Sequence, residues 1–245
     1  MASAPIYYIG GDKGGVGKSI VALSLVDHVL KQGQAILLLE TDTSNPDVWR
    51  CYSKEPGVQS ELLLLDQADG WITAVNLCAD YPDRLTIINT AARNNLGVTA
   101  YGATLHSALP ELERSLIALW VINRQRDSLE LLRKFLNDFP AAQVHVVRNL
   151  HWGSADKFEL YNASNMPHMI AERSGLSLSF PDLADRVADN LFSDRYTIER
   201  ALTELPIGNR AELRRWRNEC EKVWRTLEEH NDAPTHTAGY VATTA

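Results

Sequence analysis

The stretch Ile6-Tyr7-Tyr8-Ile9-Gly10-Gly11-Asp12-Lys13-Gly14-Gly15-Val16-Gly17-Lys18-Ser19 decides the fold. Residues 6–10 form an apolar run of strand length. After the glycines, Lys18–Lys31 carries Ile20, Val21, Leu23, Leu25, Val26, Val29 and Leu30 along a helical stretch that Gly33 closes as a C-cap. A strand, a glycine-rich turn and a helix in immediate succession is the setting of a phosphate-binding loop. A polyphosphate needs several backbone N–H groups converging on its oxygens at the positive end of a helix. Gly14, Gly15 and Gly17 let the chain, with Val16 among them, curl around it without a Cβ in the way. Lys18 is expected to reach the β- and γ-phosphates and the Ser19 hydroxyl to ligate Mg²⁺, so the expected ligand is ATP with Mg²⁺.

Outward from this loop, apolar runs at 35–40, 85–89, 116–122, 144–147 and 178–180 alternate with helix-period stretches at 70–79, 102–114, 128–137 and 154–162. This is the pattern of an α/β fold with a mostly parallel sheet covered by helices on both faces. Residues 59–66 suit either strand or helix. After Pro181 the chain turns helical, at 182–192, 197–202 and 209–229. In the last of these Leu213, Trp216, Cys220, Val223 and Leu227 make one apolar stripe. Residues 1–230 read as one phosphate-loop domain and 231–245 as a disordered polar tail.

The bulk properties agree with an ordinary globular chain. Of 245 residues, 45% are hydrophobic and 22% charged, enough for a sizeable core. The net charge of −7 argues against a surface that coats nucleic acid throughout. Cys51, Cys78 and Cys220 are too dispersed for a disulfide framework or a zinc site and suit a reducing cytoplasm. The scattered histidines form no metal-ligand pair. No apolar run is long enough to span a bilayer, and the first residues lack the pattern of a secretory signal.

The loop departs from the ordinary GxxxxGK[ST] pattern at Asp12 and matches KGGxGK[ST] in full, with the extra lysine Lys13. This is the deviant Walker A motif, and from here the chain resembles the ParA/MinD superfamily of P-loop ATPases. The resemblance implies that Lys13 crosses the interface of a nucleotide-sandwich homodimer to touch the partner's phosphates. It continues at Leu37-Leu38-Leu39-Glu40-Thr41-Asp42, where the family has an acidic residue, a spacer and an aspartate. Asp42 then takes the role of orienting the attacking water, although an aspartate here can also simply cap the turn before Asn45-Pro46.

At Leu85-Thr86-Ile87-Ile88-Asn89 the family's Walker B strand ends in aspartate, and Asn89 stands in its place. An amide can hold a Mg²⁺-bound water but brings the metal no negative charge, so slow hydrolysis or a pure binding switch is expected. By the same resemblance Asn149 and the loop at Pro181 read the base. Arg148-Asn149-Leu150-His151-Trp152-Gly153, Phe180-Pro181-Asp182-Leu183 and Phe192-Ser193-Asp194-Arg195-Tyr196 resemble the TraL branch of conjugal-transfer proteins. The function implied is a nucleotide-dependent dimerisation switch serving plasmid conjugal transfer, mobilisation or maintenance, with conjugation or partition proteins as partners. Asn89 also suits a non-hydrolysing scaffold that recruits transfer-machinery proteins. A metabolic enzyme on the same fold would need substrate-binding acids and amides in the switch loops, and none are identifiable. The basic residues of 209–229 (Arg210, Arg214, Arg215, Arg217, Lys222, Arg225) offer nonspecific DNA a surface, but interleaved glutamates make a solvated helix face the better reading. The polar residues after this stretch argue against a membrane-seated terminal helix.

Overall fold

The computed structural model describes residues 4–11, 14–92, 95–140 and 142–232. Seven parallel strands form one sheet in the order β3-β2-β4-β1-β5-β6-β7. They are β1 (Ile6–Gly11), β2 (Ile36–Glu40), β3 (Val58–Leu62), β4 (Leu85–Asn89), β5 (Leu116–Ile122), β6 (Gln143–Asn149) and β7 (Ser177–Phe180). The helices are α1 (Lys18–Lys31), α2 (Asp47–Tyr52), α3 (Ala68–Asp80), α4 (Asn95–Tyr101), α5 (Ala103–Leu112), α6 (Arg126–Asp138), α7 (Glu159–Asn162), α8 (Met166–Glu172), α9 (Asp185–Ser193), α10 (Ile198–Glu204) and α11 (Ile207–Asp232).

Strand alternation divides the interior into two cores. Tyr7 and Ile9, Ile36 and Leu38, and Ile117, Leu119 and Val121 face one side, which α1, α2, α9, α10 and α11 cover. Ile6 and Tyr8, Leu37 and Leu39, and Ala118, Trp120 and Ile122 face the other, covered by α3, α4, α5, α6, α7 and α8. The central strands are buried on both faces, which is why they read as unbroken apolar runs. From β1 the chain winds out to the β3 edge, returns with β4, then passes β1 to build the β7 edge. The helices after β1 and β5 therefore lie on opposite faces, and a crevice opens above the carboxyl ends of these strands.

Gly33 closes α1 as expected. At φ +76° it donates its N–H to Leu30 O at 2.9 Å, while Gln34 N–H reaches Val29 O at 3.2 Å, the paired bonds of a Schellman cap. Residues 58–62 resolve the open segment as an edge strand. The expected helix over 154–162 is instead a short 3₁₀ turn (Ala155–Lys157) followed by the single turn of α7. Asn162 Nδ2 bonds the Ala155 carbonyl there, a side chain competing for a backbone acceptor. The helix over 102–114 stops at Leu112, since Glu113 turns to φ +52° and the buried Arg114 guanidinium donates to the carbonyls of Ala4, Pro5, Cys78 and Arg84. The 182–192 helix begins only at Asp185, because Pro181 and Asp182 give their carbonyls to Trp216 Nε1 and Arg215. In α11 the buried stripe is Leu213, Trp216, Cys220, Trp224 and Leu227. Trp224 takes the place expected for Val223, which packs at the margin. Asn231 and Asp232, expected in the tail, still belong to α11, and the rest of that segment lies outside the described residues.

The basic side chains of α11 are largely engaged with the protein itself. Arg215 pairs with Glu212, Lys222 with Glu219 and Arg225 with Glu221, while Arg217 is drawn down onto Asp27 of α1. Cys51, Cys78 and Cys220 are free and buried. Among the described residues no helix is long and apolar enough to cross a membrane.

Candidate functional site

The turn between β1 and α1 forms one wall of a cavity of about 390 Å³, the size of a small-molecule site. Gly14, Gly15, Gly17, Lys18 and Ser19 line it from this side. Gly15 and Gly17 have φ of +86° and +101°, values that side-chain-bearing residues rarely adopt. Val16 lies between them but does not line the cavity. Its side chain is buried in the α1-side core and anchors the loop, so Val16 offers a ligand only its backbone. Lys18 is buried at the start of α1 and is one of the residues lining the cavity. Lys13 falls outside the described residues.

The opposite wall comes from the carboxyl ends of β2, β4 and β6 and from the loop after β7. Asn149 is brought against the β1–α1 turn itself. Its Nδ2 donates to Val16 O at 2.9 Å, and its Oδ1 accepts the His151 N–H at 3.1 Å. Pro181 lines the cavity beside Asp182 and Leu183, with its carbonyl held by Trp216. Sequence reading did not single out Thr90, Asn45, Asp47, His151, Asp185 and Phe192, which also line it. His151 Nδ1 lies 3.2 Å from Asp182 Oδ1, a polar pair at the rim. The available signal for these was position, since Asn45 and Asp47 follow β2, Thr90 follows β4, His151 follows β6, and Asp185 and Phe192 lie on the helix after β7.

Asp42 lines the cavity, and its Oδ1 also accepts the Asn45 N–H at 3.0 Å, so the turn-capping contact is present. Asn89 does not line the cavity. It is 1% exposed, and its Nδ2 donates to both carboxylate oxygens of Glu40, each at 3.0 Å. Glu40 Oε1 also accepts the Asp42 N–H at 3.1 Å. Burial pushes the Glu40 carboxyl up to about 7, against the Asn89 and Asp42 bonds that favour its charged form. The Asn89 Oδ1 atom is buried without a hydrogen-bond partner among the described residues.

Among the described residues no group of three or more His, Cys, Asp or Glu could hold a metal ion by itself. The oxygen donors that line the cavity include a hydroxyl at Ser19 and a carboxylate at Asp42, while Asn89 is sealed off from it. Such oxygen donors suit Mg²⁺, which keeps several waters and takes its remaining ligands mostly from phosphates.

No family model matches the chain. The solved structure of the MinD cell division protein of Aquifex aeolicus overlays it with a TM-score of 0.52, at 12% identity, covering 92% of this chain and 97% of that one. That is a likeness of fold. In sequence, the chain is 59% identical over 218 residues to Protein MobD of Acidithiobacillus ferrooxidans, a match spanning 89% of this chain and 95% of that protein. At this identity over nearly the full length of both, the chain belongs to the MobD family.

Proposed function

We propose that the protein binds ATP with Mg²⁺ in the cavity at the β1–α1 turn and uses it as a switch in plasmid mobilisation or conjugal transfer. The observation that carries the reading is the turn itself, with two glycines at positive φ and a buried lysine opening onto a cavity of nucleotide-site size at a helix N-terminus. In this reading Gly14, Gly15 and Gly17 give backbone N–H groups to the phosphates, and Lys18 neutralises the β- and γ-oxygens. Ser19 holds Mg²⁺, and Asp42 orients water at the γ-phosphate. The cation supplies charge neutralisation across these oxygens when bound. Kinship with MobD and resemblance to TraL-branch proteins support the mobilisation setting. Calorimetry of ATP with Mg²⁺ tests the site: wild type binds, and Lys18→Ala loses tight binding while melting normally. Equal affinity in the two proteins removes the assignment.

The switch is an ATP-dependent homodimer in which Lys13 of each chain neutralises γ-phosphate charge across the interface, as the deviant Walker A resemblance implies. Light scattering tests it. ATP dimerises wild type and ADP does not, and Lys13→Ala stays monomeric and loses hydrolysis by ~10³-fold, the scale of a cationic finger. A wild type that remains monomeric with saturating ATP and Mg²⁺ refutes the dimer and leaves a nucleotide-binding domain.

One observation favours a second reading, a non-hydrolysing scaffold that recruits transfer proteins. The amide of Asn89 is committed to Glu40, which leaves β4 without a strand-end carboxylate of its own. Phosphate release, measured with and without DNA, separates the two.

A further inference from the structure

Helix α2 is tied from beneath to the junction of α9 and α10. Cys51 Sγ lies 3.7 Å from the Leu191 carbonyl, and the Tyr52 hydroxyl accepts the Ile198 N–H at 3.2 Å. Beside these ties a groove of about 700 Å³ opens between the turn after α2 and the segment 194–203. It shares no lining residue with the cavity at the β1–α1 turn. Asp194 and Arg195, from the 192–196 stretch that stands out in the sequence, line it, and the nucleotide reading gives them no part.

The cations of the groove differ in what holds them. Arg50 is bonded to Asn45 and Asp47, and the Arg200 guanidinium lies over the Tyr196 ring, 4.7 Å from its centroid. The exposed Lys54 and Arg195 side chains make no hydrogen bond or ion pair among the described residues. Arg195 stands at the close of α9. Its φ is +54°, and the Tyr196 N–H bonds Leu191 O at 3.0 Å, a helix-ending turn in which glycine is the usual residue. Glu113 and Ser174 also hold positive φ, so strain by itself selects no site. What sets Arg195 apart is a free charge at the edge of a preformed groove. Glu55, Asp194 and Glu199 line the same groove, and Glu199 is taken up by Arg217. A run of evenly spaced phosphates would meet these carboxylates on a chain of net charge −7. A polypeptide can instead set its acids against Lys54 and Arg195 and lay an apolar side chain on the half-buried Trp49.

We propose that this groove docks an acidic segment of a partner protein, with Lys54 and Arg195 taking its carboxylates and Trp49 an adjoining apolar side chain. The groove lies outside the nucleotide cavity, so the proposal stands or falls independently of ATP binding.

The test is fluorescence anisotropy of labelled dodecapeptides repeating Glu-Leu-Glu-Ala or Lys-Leu-Lys-Ala, and of labelled oligothymidylate and duplex DNA, titrated with the full chain. Wild type binds the acidic peptide and not the basic one. Lys54→Glu/Arg195→Glu weakens the acidic peptide by about 10-fold. Arg126→Glu/Arg133→Glu makes the same charge change on α6, across the sheet, and leaves that affinity unchanged. Arg195→Gly relaxes the turn, so it melts no lower than wild type, yet it weakens the acidic peptide by about 3-fold. Should the double reversal fold poorly, Arg195→Gly decides alone. The proposal is overturned if wild type does not bind the acidic peptide, if the two reversals weaken it alike, or if Arg195→Gly binds it as wild type does. DNA bound in place of the acidic peptide, and lost on reversal of Lys54 and Arg195, overturns it in favour of a nucleic-acid groove.

Discussion

Asn149, at the end of β6, donates a 2.9 Å hydrogen bond to the carbonyl of Val16 in the β1–α1 turn. Sequence resemblance assigns Asn149 to the base, whereas the contact seen is to the loop that would hold the phosphates. The two roles give different outcomes. Asn149→Ala leaves the buried Val16 carbonyl unpaired, a loss of about 1–3 kcal/mol in stability. As a brace for the loop, Asn149 affects all nucleotides alike, and the variant binds ATP and GTP more weakly by the same factor. As a reader of the base, it changes their ratio. Calorimetry with both nucleotides distinguishes these outcomes.

Gly17 is the tightest point of the same contact. A Cβ on it would lie 2.1 Å from Asn149 Nδ2, and its φ of +101° already disfavours any side chain. Gly17→Ala is expected to abolish measurable ATP binding and to lower stability by ~1–3 kcal/mol through strain alone. Adding Asn149→Ala to it relieves the clash but not the dihedral, so the double variant melts higher than the sum of the two single losses. Additive losses would show that the loop has moved away from Asn149.

Arg217 of α11 grips Asp27 of α1 with two bonds of 2.8 and 2.9 Å, and Glu199 of α10 closes on Arg217 Nη2 at 2.8 Å. The Asp27 side chain is 8% exposed and that of Arg217 16%. Truncating Asp27 leaves the half-buried Arg217 only the exposed Glu199 as counter-charge, so Asp27→Ala is expected to cost ~3 kcal/mol in urea unfolding, the low end for a broken buried pair. Replacing both by apolar residues of similar size costs less than either single change. A loss below ~1 kcal/mol for Asp27→Ala would mean that the pair contributes as a surface bridge does.

His145 predicts an acid limit to stability. It is buried on β6, its Nδ1 accepts the Leu176 N–H at 3.1 Å, and its Nε2 has no partner among the described residues. Burial first, and the neighbouring His230 second, push it down to about 4. The unfolded chain, at an ordinary histidine value near 6.5, therefore binds the proton more readily than the folded one. The stabilising contribution is complete above pH ~6.5 and is lost as pH falls towards about 4. A His145→Gln variant melts with a flatter pH profile between those limits. An unchanged slope would place the acid sensitivity on other groups.

Much of this was legible in the residues themselves. The doubly buried strands announce themselves as Leu37-Leu38-Leu39 or Leu116 to Ile122, and the glycine-rich turn declares its helix. What escaped was whatever depends on contact across the sequence. Helix α2 is six residues long and α8 seven, too short for a period to show. Trp224 rather than Val223 completes the α11 stripe because the turn of a 26-residue helix, not the local spacing, decides which side meets the core. The Glu40–Asn89 pair is invisible until the register of β2 against β4 is known. Read alone, Asn89 is only a missing acid.

Helix α11 holds both banks of the cleft with adjacent side chains. Trp216 takes the Pro181 carbonyl on the far wall, while Arg217 takes Asp27 on α1, the helix that begins at Lys18. The helix is thus a splint, set across the back of a site it never enters. A ligand that pulls the two banks together tightens the splint, and one that leaves unlocks it. Occupancy of the site is therefore expected to be written into the hydrogen-exchange rates of α11 amides, although no side chain of that helix lines the cavity.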